Sequence, residues 1–135
     1  MKNKVKIIII LILSIIIVFV GGYFIYANNK SYHNNGLSFK YAILDNNVIL
    51  EKDVSEWIKK QSSTPGVYSM KFNNNEYVLI TQGKELNNIC LENLLENSRS
   101  IKIEYSFIKS EKNANVKPMI IELDNTDKNI IFVKK

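Results

Sequence analysis

Residues 7–26, IIIILILSIIIVFVGGYFIY, carry no charge, and only Ser14, Gly21 and Gly22 interrupt the apolar and aromatic run. As a helix rising about 1.5 Å per residue, this stretch is about 30 Å long, the thickness of a bilayer's hydrocarbon core. A helix in lipid keeps its backbone hydrogen bonds internal, so a run with no polar face belongs there rather than in water. Lys2, Lys4 and Lys6 precede it. The positive-inside rule keeps that end in the cytoplasm and delivers the rest of the chain to the far side. The competing reading is a cleaved secretory signal, with Ile25-Tyr26-Ala27 at the cut. A signal's apolar region is about 7–15 residues, shorter than this one, and Tyr23, Phe24 and Tyr26 resemble the aromatic belt of a membrane interface. The expectation is an anchor over 7–26, a basic cytoplasmic tail over 1–6, a tether over 27–36 and an extracytoplasmic domain over 37–135.

Three of the five net positive charges are the lysines before the anchor, which leaves +2 on the exported part with signs mixed. No Lys/Arg cluster forms a nucleic-acid footprint, so nucleic acid is not an expected partner. The 108 residues after Ala27 suffice for one domain with its own core. Cys90, the single cysteine, cannot close an intramolecular disulfide.

Beyond the polar tether, Leu37, Phe39, Tyr41 and Ile43 alternate with Ser38, Lys40, Ala42 and Leu44, the period of a half-buried strand. A turn at 45–47 follows, and Val48-Ile49-Leu50 is expected to resume extended structure. Residues 53–61 read as the one soluble helix: Asp53 caps it, Glu56 completes a capping box, and Val54, Trp57, Ile58 and Gln61 share the buried face. Residues 66–83, GVYSMKFNNNEYVLITQG, form a hairpin with its loop at the three asparagines. Residues 89–96 fit either a strand or a helical face, and a strand start followed by a turn at 96–98 is favoured. Strands follow at 101–109, with Ile101, Ile103, Tyr105 and Phe107 on one face, at 119–123 after Pro118, and at 129–135. About seven strands and one short helix imply an antiparallel β-sandwich or open barrel.

The chemistry available is sparse. His33, the only histidine, lies in the tether, where a catalytic pair with Cys90 would require it to fold back onto the domain. One His and one Cys cannot supply a zinc set without several carboxylates, and no calcium or phosphate loop is present. No catalytic, metal or cofactor residue is therefore assigned, and no small-molecule cofactor is expected.

EWIKK at 56–60, PGVYSMKF at 65–72, YVLITQG at 77–83, IKIEYSFI at 101–108 and KPMIIEL at 117–123 follow one another in an order that resembles the C-terminal domain of the protease complex subunit PrcB family. The resemblance covers about half the chain. It implies a non-catalytic exported subunit that supports a surface protease. Where that family has Gly-Glu-Lys-Pro-Thr-Gly-Gly-Tyr after the strand glycine, this chain has Gly83-Lys84-Glu85-Leu86-Asn87-Asn88-Ile89, without the Thr-Gly-Gly signature. Gly83, Lys84, Glu85, Asn87 and Asn88 occupy that position and are the candidate partner contact, because loops carry function more often than strands. The expected function is a membrane-anchored accessory domain, held in the bilayer through 7–26, that binds another exported protein. The alternatives are an envelope sensor or structural protein that binds cell-wall glycan through exposed tyrosines, and a secreted protein released after signal cleavage.

Overall fold

In the computed structural model, residues 14–19, 23, 31–45, 47–83, 87–110, 117–124 and 126–135 are described. Residues 14–19 and 23 of the expected anchor are helical, and the others of 7–26 lie outside the described residues. Among the described residues no helix is long and apolar enough to cross a membrane.

Among the described residues, seven strands and one helix make up the domain: β1 (Tyr41–Leu44), α1 (Lys52–Gln61), β2 (Gly66–Phe72), β3 (Asn75–Thr81), β4 (Asn87–Glu96), β5 (Ser100–Lys109), β6 (Met119–Asp124) and β7 (Asn129–Lys134). They form a four-stranded sheet in the order β1-β6-β3-β2 and a three-stranded sheet in the order β4-β5-β7. Val78, Ile80, Ile121 and Leu123 from the first sheet meet Leu94, Ile101, Ile103 and Tyr105 from the second, and Phe39 completes the buried cluster. Alternation along β3 turns Tyr77 and Leu79 to the other face of the four-stranded sheet, where both are also buried. The helix α1 lies against β2 and β3 with Val54 fully buried.

The expected hairpin forms with a tighter turn. Asn73 and Asn74 have φ of 48° and 64°, the positive pair of a two-residue turn that matches strand twist, and Asn75 already pairs with Phe72. The ambiguous stretch at 89–96 is strand throughout, with a bulge between Leu91 and Asn93 that admits Glu92.

Four expectations are corrected. First, the domain is not wholly antiparallel, because β7 runs parallel to β5. After β5 the chain crosses to the other sheet as β6 and then returns, so β6 serves as the crossover that a parallel pair requires. Second, Val48–Leu50 is not strand, and Ile49 is 98% exposed. Third, α1 starts at Lys52 with Glu51 at the N-cap and no side-chain cap hydrogen bond, so the capping box does not form. Asp53 instead sits in the first turn, where its charge favours the helix N-terminus. Fourth, only Leu37 and Phe39 of the first alternating run are well covered, while Tyr41 and Ile43 are 46% and 52% exposed. Both stand opposite core residues of β6, but β1 is the outer strand of a four-stranded sheet laid over a three-stranded one, so its margin is left uncovered.

Candidate functional site

Glu96 ends β4 two residues after Leu94, so strand alternation aims its carboxylate at the sandwich interior. It is 1% exposed. A buried carboxylate needs donors, and three arrive from segments distant in sequence. The Ser38 amide donates to Oε2 at 2.8 Å, while the Ser38 hydroxyl and the Lys128 ammonium both donate to Oε1. Lys128 donates also to the Asn97 carbonyl at 2.8 Å. The His33 Nε2 lies 3.9 Å from Glu96 Oε2. Burial pushes the Glu96 carboxyl up, but the hydrogen bonds from Lys128 and Ser38, with the Lys128 charge, outweigh it and hold the group below its ordinary value.

The same glutamate anchors the segment before the domain. His33 and Glu96 exchange backbone hydrogen bonds of 2.8 and 2.7 Å, an antiparallel bridge on the outer edge of β4. The Tyr32 and Ser100 hydroxyls are 2.8 Å apart, and the Lys102 ammonium stands 4.0 Å from the centre of the Tyr32 ring. The Asn97 side chain accepts from the amides of Arg99 (2.9 Å) and Ser100 (2.7 Å), which shapes the β4–β5 turn against which this segment rests. An open groove of about 570 Å³ runs beside the cluster between Ser38, Ser98, Arg99 and Asp127.

The β2–β3 turn lies at this same end, because the Lys71 ammonium donates to the Thr126 carbonyl at 3.3 Å. A cavity of about 210 Å³ opens there beside Phe72, Asn73 and Glu76. Glu76 is 7% exposed, and its Oε2 has no partner among the described residues. Burial pushes its carboxyl up, against the opposing influence of Lys71 and Ser69.

The candidate contact residues lie at the opposite end of the sandwich and are only partly a loop. Gly83 has φ of +67°, and a Cβ there would come within 2.9 Å of the Pro65 ring. Thr81 fixes this corner: its hydroxyl donates to the Ser62 carbonyl and accepts from the Gly83 amide, both at 3.1 Å. Lys84 and Glu85 lie outside the described residues. Asn87 and Asn88 are the first residues of β4, paired with Lys109 and Ile108, so the expected loop contact there is strand. The Gln82 amide donates to the Asn87 carbonyl, joining the two sheets at this end.

Cys90 is half-buried in β4, six residues before Glu96 and its partner His33. That separation is about 20 Å of strand, too far for a Cys–His pair. Among the described residues no group of His, Cys, Asp and Glu is placed to hold a metal. The cluster that sequence reasoning missed combines Glu96, Ser38, Lys128 and His33. Its one legible signal was a glutamate two residues after a core leucine, an acidic residue on an apolar face.

Comparison with protein-family models, with curated proteins and with solved structures finds no match to this chain.

Proposed function

We propose that this chain is a membrane-anchored extracytoplasmic accessory domain that binds another exported protein and is not itself an enzyme. The observation that carries the reading is the burial of Glu96 with both of its oxygens accepting internal hydrogen bonds. The acid, ammonium and hydroxyl that would make the best catalytic set are engaged with one another, and Glu96 holds the segment before the domain through Ser38 and the His33 backbone. A general base needs a lone pair within reach of a substrate proton, and the Glu96 carboxylate is 1% exposed, with Oε1 accepting from Ser38 and Lys128 and Oε2 from the Ser38 amide. The apolar run at 7–26 with its lysine flank supports an anchor with the N-terminus in the cytoplasm. The resemblance to PrcB-type subunits supports a partner in an exported protease or its assembly.

The partner surface is the end opposite Glu96, which carries Gly83, Asn87 and Asn88 together with the Ser62–Gly66 turn. A photo-crosslinking residue at Asn88 in the full-length chain, activated in whole cells, tests this. An adduct with an exported protein, absent when the same probe is placed at Ser98, is the expected result. No protein adduct from Asn88, together with retention of the domain on purified cell-wall glycan, would overturn the reading in favour of glycan binding.

A further inference from the structure

The strap that pairs with Glu96 also dictates which way the domain faces. The His33–Glu96 bridge is antiparallel, so stepping back from His33 to Tyr32 and Ser31 moves past the end of β4 toward the β4–β5 turn. Tyr32 is held there by Ser100 and Lys102, and Ser31 lines a cavity with Asn97 and Ser98 at that same end. From Tyr26, the last residue of the apolar run, to Tyr32 there are six residue steps. At about 3.3–3.6 Å each they span at most ~20 Å. The β5 strand has ten residues, so the two ends of the sandwich are about 30 Å apart.

We infer that the end bearing the β2–β3, β4–β5 and β6–β7 turns is a bilayer-facing surface that rests on phospholipid headgroups, with the Gly83 end held outward. This rests on the anchor reading of residues 7–26. The chemistry of the surface suits headgroups rather than acyl chains: Asn73, Asn74, Ser98, Arg99 and Asp127 are its exposed turn residues, all polar or charged. The polar groove beside Arg99 opens on the same side. The Glu96 cluster thus acts as a stop that keeps the tether short, since releasing the strap would add the residues from Tyr32 to Ser38 to the linker.

The test uses the full-length chain with Cys90→Ala, reconstituted in phosphatidylcholine vesicles that contain a headgroup-nitroxide lipid. A fluorophore is placed on a single cysteine introduced by Ser98→Cys or by Asn88→Cys, both exposed positions. The expected result is quenching at 98 that exceeds quenching at 88 by roughly threefold or more, given ends ~30 Å apart. Equal quenching at the two positions, or stronger quenching at 88, overturns the inference. Alkaline extraction of the same vesicles separates the two premises. Protein that stays with the lipid while both labels are equally quenched keeps the anchor and loses the orientation, whereas protein that is extracted loses the anchor itself and the inference with it.

Discussion

Glu96 and Glu76 are both buried acids at the same end of the sandwich, and their surroundings give them opposite signs. The Glu96 carboxyl is held below its ordinary value by Lys128 and Ser38 against the cost of burial. Its stabilising contribution is therefore fully present above the unfolded carboxylate range and is lost as pH falls through the lower folded value. Glu104 shares this sign through its hydrogen bond from Asn93 and its pairing with Lys135. Glu76 is raised by burial, so its contribution is present below the unfolded value and is lost as pH rises through the folded one. Glu96→Gln should lower stability near pH 7 and flatten the loss of stability on acidification, as read by urea denaturation of the domain from pH 7 to 3. Glu96→Ala, which strands the Lys128 ammonium and the Ser38 amide, should cost about 2–4 kcal/mol near neutral pH. Glu76→Gln should instead raise the denaturation midpoint at pH 7, because it removes a desolvated charge whose Oε2 has no partner among the described residues. A lower midpoint for Glu76→Gln would show that Lys71 outweighs burial.

Among the elements, α1 shows how a periodic face can be right while its anchor residue is not. Val54, Trp57, Ile58 and Gln61 do turn toward the protein, but Val54 is the one that is fully buried and Trp57 is only half-buried. A short helix against β2 and β3 covers limited area, so the residue nearest the sheet is sealed and the larger ring extends past the contact. Val54→Ala should therefore cost about 1–3 kcal/mol, and Trp57→Ala a similar amount rather than the ~3–5 kcal/mol of a fully buried ring. Equilibrium unfolding of the two variants decides this, and a loss above 3 kcal/mol for Trp57 alone would place its ring in the core. The β strands were more legible. In β5 the apolar residues fall on every second position, and Ile101, Ile103 and Tyr105 are buried as that period requires. In β1 the same period misleads at Tyr41 and Ile43, because alternation specifies a face and not whether another sheet lies over it.

If residues 7–26 anchor the chain with the N-terminus inside, protease added to intact cells or protoplasts should digest the C-terminal domain and leave an epitope before Lys6 protected. Protection of the C-terminal domain would reverse the orientation, and a mature form beginning at Asn28 would replace the anchor with a cleaved signal.

Local pattern was sufficient for the place of the hairpin and for the buried face of β5, because these follow from backbone geometry and from which side chains avoid water, but it was not sufficient at Val48–Leu50 or for the cover over β1. The candidate site was not legible in that way. Gly83 could be read as a turn glycine, but nothing local distinguishes Asn87 and Asn88 as strand residues, since their pairing with Lys109 and Ile108 is set by a register twenty residues away. The parallel β5–β7 pair is equally non-local, because the crossing of β6 to the other sheet depends on which faces remain unburied. His33, Ser38, Glu96 and Lys128 span the sequence with no shared motif, and each alone reads as a solvated polar residue. They become a cluster around one buried carboxylate because the fold brings the end of β4, the start of β7 and the segment before β1 together. There the desolvation of one carboxylate demands every donor within reach.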